Sequence, residues 1–407
     1  MKKSAPKPFN GEYPKIPDRL AVIYVAVTMV IMAYSFLFKL FPILIFLGTW
    51  FAYLFYKKTF TLRPSADAMF VLAFPLLCCY SSLWSDTPSG TLYAGVGLFM
   101  MVSTTIIIAR TVRTKAFAQG VSLGAMVTLL ITLASGRYSL DYFSRAPSLT
   151  GFFGSKNEVG FFAEIGIYAS MLLMFENIKI KEKFIFSFLP LLICAVSLYL
   201  CKSASSVASL IIACGVYFAM YLLTRLPKSF RWLALGAGML SLITIILVIV
   251  SMDLNVFDPI LKGFGKDSTL TGRTYLWSEG IKNGMKRPVL GYGYFAFWIP
   301  GRPEAEHYWQ KFEIPGKTGF HFHNLFIQAF VDFGIVGLIY IVIFISLCIF
   351  KSIRLLIKEG MELEASLALG MSFLFLVRAF VEVDLFGPFG LGPLLYFSIL
   401  PRLAMCR

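Results

Sequence analysis

Charge is scarce in this chain. Of 407 residues only 14% are Asp, Glu, Lys or Arg, while 58% are hydrophobic and 16% aromatic; a soluble domain carries about 25% charged residues to cover its surface. That shortage excludes a soluble Rossmann-type enzyme and a disordered chain. No CxxC pair occurs. Cys78, Cys79, Cys194, Cys201, Cys214 and Cys348 fall in or at the edge of apolar runs and Cys406 lies near the end, so neither a zinc ribbon nor a disulfide framework is expected. Period-two alternation over segments of about ten residues is missing as well, which excludes an outer-membrane barrel.

What is present is a series of apolar runs of roughly 18–20 residues, the length that matches a hydrocarbon core of about 30 Å. They fall at about 20–38, 40–56, 66–84, 91–109, 116–134, 158–175, 184–201, 203–223, 232–251, 323–350, 365–383 and 388–403. The expectation is an all-α polytopic membrane protein of about twelve helices. A basic start without a small-residue cleavage site predicts that the first span is an uncleaved anchor. Lys and Arg alternate between connections, 22 on one side against five on the other, which predicts cytoplasmic termini and an outward-facing 252–322 segment. Retention of those loops beside anionic lipid explains most of the net charge of +15, and nucleic acid is not implied. The organisation expected is a first bundle over 1–251, a long loop over 252–322 carrying the active site, and closing helices over 323–407.

One long connection among short ones is read as ordered. Ser268 and Thr271 are cap candidates ahead of Leu276, Trp277 and Ile281, predicting a short amphipathic helix ended by Lys286, Arg287 and Pro288. The stretch Gly291-Tyr-Gly293-Tyr-Phe-Ala-Phe-Trp298 mixes glycines with aromatics expected at the interface, where rings also stack on sugars. Its GxG lacks the third glycine and the βαβ setting of a dinucleotide site. All three histidines, His307, His321 and His323, lie in this segment or where it re-enters the membrane. His321 and His323 stand beside Asn324, suited to proton transfer near neutral pH. The HxH also invites zinc, with no clear third ligand beyond His307 and loose carboxylates; interfacial histidines bonded to carbonyls are the plainer reading.

Arg273 stands beside the helix start and offers a planar fork to phosphate oxygens; a solvated loop charge is the alternative. Lys286 and Arg287 are expected to meet lipid head groups. Lys202, Arg145 and Lys156 are further outward positives that could line one anionic site. Glu158, Glu164, Asp332, Arg378, Glu382 and Asp384 fall within spans, where each needs a polar cavity or a partner. A spacing of four makes an Arg378–Glu382 ion pair at least as expected as a substrate contact, and Glu158 and Asp332, near span ends, are expected to snorkel. In Trp84-Ser-Asp86-Thr-Pro88 the aromatic reads as interfacial and the rest as turn chemistry.

In order along the chain, Trp84-Ser85-Asp86, Gly151-Phe-Phe-Gly-Ser-Lys156-Asn157-Glu-Val-Gly160, Gly272-Arg273-Thr-Tyr-Leu-Trp277, Arg287-Pro288-Val-Leu-Gly291-Tyr-Gly293 and His323-Asn324-Leu325 leading to Gly334-Ile-Val-Gly337 form a set spanning about 84 to 337. The set resembles the bacterial O-antigen ligase/polymerase family, which includes polymerases of exopolysaccharide production. The resemblance implies a glycosyltransferase C-type architecture in the bacterial inner membrane with its active site facing the periplasm. It also implies transfer of a glycan from undecaprenyl diphosphate to a hydroxyl on lipid A–core or on a lipid-linked repeat unit, with inversion and with neither metal nor cofactor. The family's loop arginine carries over to Arg273 and its histidine to His323, with His321 second; Lys202, Lys156, Asn157, Arg145, Trp277 and Asn324 are the expected substrate contacts. The family often places an arginine in the turn corresponding to 202–206, where this chain has Lys202. The rival from another class is a transporter or flippase, for which inverted repeats and midplane charges are the usual marks; no such repeat is found.

Overall fold

Apolar runs without water to satisfy their backbone must form helices, since only internal hydrogen bonds are available in hydrocarbon. The computed structural model describes residues 16–38, 40–57, 65–140, 147–176, 181–251, 272–318 and 320–406. The long helices come first: α1 (Asp18–Phe38), α2 (Leu40–Lys57), α3 (Ala66–Tyr80), α4 (Pro88–Thr111), α5 (Thr114–Ser135), α6 (Lys156–Glu176), α7 (Lys181–Cys201), α8 (Ala204–Arg225) and α9 (Lys228–Ser251). Two short helices follow, α10 (Arg273–Gly284) and α11 (Pro303–Lys311), then α12 (Leu325–Glu359), α13 (Leu363–Ala379), α14 (Leu391–Tyr396) and α15 (Ile399–Leu403). A small hairpin, β1 (Tyr138–Leu140) with β2 (Pro147–Leu149), joins α5 to α6. Among the described residues eight helices are long and apolar enough to cross a membrane. The protein is an all-α, multi-pass membrane protein.

The segment expected as span twelve is two short helices of 6 and 5 residues, interrupted after Tyr396 and buried among the others. At about 1.5 Å per residue neither reaches across a bilayer alone. The expected loop helix exists as α10, and Ser268 and Thr271 lie outside the described residues; Gly272, with φ 79°, stands at the N-cap.

A break in α12 fixes the loop to the bundle. Gly334 has φ 62° and ψ −153°, a backbone region essentially closed to other residues. The helical hydrogen bonds lost there are replaced from the loop: Tyr292 N–H donates to Val331 O (2.9 Å), Gly293 N–H to Asp332 O (2.8 Å), and Ile335 N–H to Pro288 O (2.8 Å). The approach is backbone to backbone. A methyl group on Gly291 would collide with the Asp332–Phe333 peptide, and one on Gly334 with the Val289 carbonyl. Asp332 therefore does not snorkel: it is buried at the break, where Gln328 Nε2 donates to both its carboxylate oxygens at 3.1 Å.

Most aromatics of 292–298 are core rather than an exposed sugar platform, Phe295 at 51% exposure being the exception. Tyr292, Phe297, Tyr308, Phe322, Leu276 and Val331 form a small apolar cluster under the loop, and Tyr294 is fully buried, its hydroxyl donating to Phe386 O. The turn after α3 holds the other edge. Trp84 Nε1–H donates to Leu290 O (3.0 Å), and Asp86 accepts from Arg287 (3.0 Å) and Arg302 (2.5 Å). Both guanidinium groups lie 4.5 Å from the Tyr292 ring centroid. Arg287 meets Asp86, and Lys286 meets Glu304 at 2.6 Å, protein carboxylates where lipid head groups were expected. Burial would raise the Asp86 carboxyl, but hydrogen bonds from Arg302 and Arg287 hold it below its ordinary range.

Candidate active site

Three chain segments meet at one carboxylate. Arg273 is the first residue of α10, and the preceding Gly272 packs against Phe312 of the α11 side, which sets where that helix starts. The α13 helix stops at Ala379, so Glu382 lies beyond it on a turn. Arg273 Nη2 donates to Glu382 Oε1 at 2.8 Å, with side chains only 13% and 8% exposed. His323 Nδ1 is buried and faces the other oxygen, Oε2, at 3.4 Å, too far for a good hydrogen bond. His323 itself is held in a left-handed conformation, φ 49°, a strained setting for a side chain of this size.

The reason for that turn is Asn324. Its side-chain oxygen caps α12, accepting from Phe326 N (3.0 Å) and Ile327 N (3.1 Å), while Nδ2 donates to Phe380 O at 3.1 Å. The cap thereby ties the start of α12, with His323, to the end of α13, with Glu382. Asn157 plays the matching part from α6: Nδ2 donates to Glu382 Oε1 (2.7 Å) and Oδ1 accepts from Ser203 (3.1 Å). Expected as substrate contacts, Asn157 and Asn324 are placed as supports with both ends of the amide engaged inside the protein. Trp277 points its indole N–H at His323 O, 3.4 Å away.

His321 lies against His323, ring centroids 4.2 Å apart, and its Nδ1 accepts from the His323 backbone N–H at 3.0 Å. Burial, then His323 and Arg273, push His321 down to about 3, with Glu382 opposing. His321 is therefore a neutral acceptor near pH 7. Burial would raise Glu382, yet His323, Arg273 and His321 outweigh it and hold the carboxyl well below the usual range, so it is ionised. His307 stands apart from this group, its Nε2 at 3.3 Å from the Tyr275 hydroxyl.

The pair expected between Arg378 and Glu382 does not form. Arg378, fully buried, instead grips Asp384 with Nε and Nη2, lies 3.2 Å from Glu164 and donates to Ser206 at 2.9 Å. Because α13 ends between the two residues, the four-residue spacing no longer means one helix face. Serines connect the two charge centres: Ser203 Oγ lies 3.1 Å from both Ser206 Oγ and Asn157 Oδ1, and its one hydroxyl proton is shared between these two acceptors. Lys202 is exposed in a left-handed turn, φ 51°, one residue before Ser203, and Lys156 begins α6 one residue before Asn157. Arg145 lies outside the described residues.

The missing third ligand for a metal reading is Glu382: one atom each of His321, His323 and Glu382 lie within 4.8 Å of one another. Such a set could hold a divalent ion, but the Arg273 guanidinium already occupies the carboxylate with a permanent positive charge. The chemistry offered without a metal is a guanidinium donor, a carboxylate and an imidazole with its Nε2 turned from the carboxylate. The sequence singles out Glu382 but pairs it with Arg378 on a helix that runs through both; Gly387, Pro388 and Gly390 are the signal that the helix stops earlier.

Residues 189–342 match the family model described as O-antigen ligase, a stretch that holds Arg273, His321 and His323 but neither Asn157 nor Glu382. The chain is also 34% identical over 382 residues to the exopolysaccharide production protein ExoQ of Rhizobium meliloti (strain 1021), covering 93% of this chain and 86% of that protein. With likeness at that level over nearly its whole length, the chain belongs to the O-antigen ligase/polymerase family.

Proposed function

We propose that this protein transfers a glycan from undecaprenyl diphosphate to an acceptor hydroxyl on the periplasmic side of the bacterial inner membrane, with inversion and without metal or cofactor. The observation that carries the reading is the meeting of Arg273, Glu382 and His323 where the loop joins the bundle. A transporter would be expected to gather its charges on broken helices near the midplane. Here the loop arginine and the histidine at the mouth of α12 share one carboxylate.

The reaction needs two things from the protein. The bond broken joins the anomeric carbon to the donor phosphate, and the electron pair leaves with undecaprenyl diphosphate, already a good leaving group, so cationic stabilisation serves better than a strong acid. Arg273 supplies it through a bidentate fork, with Lys202 and Lys156 as further positives near the Asn157–Ser203 contact. The bond formed joins the acceptor oxygen to the same carbon, from the opposite face. The acceptor proton passes to His323 Nε2, with the neutral His321 fixing the His323 backbone. Likeness to an exopolysaccharide production protein favours a second lipid-linked repeat unit as acceptor, making the enzyme a polymerase; transfer to lipid A–core, a ligase reaction, would use the same groups.

Transfer from a lipid-linked donor in liposomes tests the reading. Arg273→Ala is expected to remove most transfer and Arg273→Lys to restore only part of it. His323→Ala is expected to lower turnover by roughly 10²–10⁴, the usual worth of a general base, and chelator to have no effect. Wild-type transfer by either alanine variant, or loss with chelator and rescue by zinc, refutes the assignment.

A further inference from the structure

The carboxylate between Arg273 and His323 is shared unequally. Glu382 Oε1 takes hydrogen bonds from both Arg273 (2.8 Å) and Asn157 (2.7 Å), whereas Oε2 stands 3.4 Å from a His323 Nδ1 that is buried and makes no hydrogen bond. A buried nitrogen left in that state is costly, and native structures rarely keep such a group without use. The same Arg273 is the group that would meet the donor diphosphate. A guanidinium that leaves a carboxylate for a dianionic diphosphate exchanges one charge-assisted partner for a stronger one.

We propose that Glu382 is a positioning residue that reports donor arrival to the base: the diphosphate draws Arg273 away, and the freed carboxylate closes on His323 Nδ1, fixing the ring with Nε2 toward the acceptor. This rests on the donor and base roles proposed above. In the empty site Arg273 and Glu382 neutralise each other at low exposure, so neither is left as a buried unpaired charge. In the loaded site the diphosphate neutralises Arg273, and Glu382 passes to His323 while Asn157, anchored through Ser203, keeps hold of Oε1. The groups facing His323 are Glu382, His321 and, across the carboxylate, Arg273.

The exchange makes a prediction that a purely structural carboxylate does not. In the Glu382→Gln protein Arg273 has no carboxylate to leave, so undecaprenyl diphosphate should bind roughly tenfold more tightly, while turnover should fall by about 10–100-fold, the loss of one charge-assisted hydrogen bond. Affinity that is unchanged or weaker in Glu382→Gln overturns the exchange. A second measurement does not depend on that variant. With only three histidines in the chain, ¹⁵N-histidine labelling of the full-length protein should reveal a low-field Nδ1–H proton that appears on adding undecaprenyl diphosphate and is missing in His323→Ala. Its presence before ligand, or absence after, also overturns the proposal. If wild type neither binds undecaprenyl diphosphate nor transfers from it, the donor reading falls and takes the exchange with it. If wild type transfers and Arg273→Ala and His323→Ala do not, yet neither readout moves, only the exchange falls.

Discussion

Replacing Gly334 by alanine perturbs the joint between the loop and α12 without touching any proposed catalytic group. At φ 62° and ψ −153° an alanine is strained by about 1–3 kcal/mol. Its methyl group would also strike the Val289 carbonyl and the Leu290 nitrogen, which are backbone atoms unable to rotate aside. The loop must then withdraw. Three backbone hydrogen bonds cross this joint, each worth about 0.5–1.5 kcal/mol net, so strain and lost bonds together amount to roughly 3–7 kcal/mol. The assay is thermal melting of detergent-solubilised protein by fluorescence-detected size exclusion, with transfer activity measured on the same preparation. Gly215→Ala in α8 is the control, because an added methyl there meets nothing within 4 Å and alanine is the better helix former by about 1 kcal/mol. Gly334→Ala should lower Tm well below wild type and take activity with it, while Gly215→Ala holds or raises Tm. If the two variants melt together, the joint contributes nothing and the loop is held by its aromatic cluster alone.

The proposed outward orientation of 252–322 is tested by a cysteine at exposed Gln310, which should react with an impermeant maleimide in intact spheroplasts; labelling only after permeabilisation reverses the topology. Asp86→Asn removes the shared partner of Arg287 and Arg302, so stability should fall by about 0.2–1 kcal/mol for the exposed Arg287 pair and further for Arg302, whose side chain is only 9% exposed, and the 288–302 stretch should be nicked sooner by added protease, with equal cleavage refuting the clamp. His321 ties stability to acid: the unfolded chain protonates it near about 6.5, the folded one only at about 3. Between those values the unfolded state holds more protons, and stability should fall by up to about 1.4 kcal/mol per pH unit on acidification. Glu382, held below its ordinary range, adds a further loss below about pH 4. A His321→Gln protein should show a flatter slope between about pH 6 and 4; an unchanged slope assigns the proton uptake elsewhere.

The helices were legible because a bilayer demands long apolar runs, and the Arg273, His321 and His323 group because polar residues of those types had few other reasons to be there. Glu382 was obscured by helix periodicity carried too far. Counting four residues from Arg378 assumes a helix that continues, and α13 ends at Ala379. Past that end the chain turns, so Glu382 reaches Arg273 while Asp384, two residues on, takes Arg378. Gly291, Tyr292 and Gly293 misled in another way. Composition marks glycines and rings as surface material, but here the glycines permit contact of two backbones and the rings fill the space beneath them. Nothing local in the sequence says that the partner of residue 291 lies more than forty positions later.

Buried charge elsewhere in the bundle is also held by partners distant in sequence. Arg378 could not sit at 1% exposure on its own, and Asp384 and Glu164 surround it. Ser206 adds an acceptor for Arg378, and Ser209 adds a donor to Glu164. Ser203 Oγ lies within hydrogen-bond distance of both Ser206 and Asn157, sharing one proton between them, and Asn157 holds Glu382. Each link fixes a donor or acceptor in a region where an unpaired one would be costly. The carboxylate opposite His323 is thus positioned by a chain of hydrogen bonds anchored on an ion cluster that the apolar bundle cannot release into water. A carboxylate shared by an arginine and a histidine needs that anchorage, because Arg273 reaches it from the loop side and the bundle side must hold the carboxylate in place.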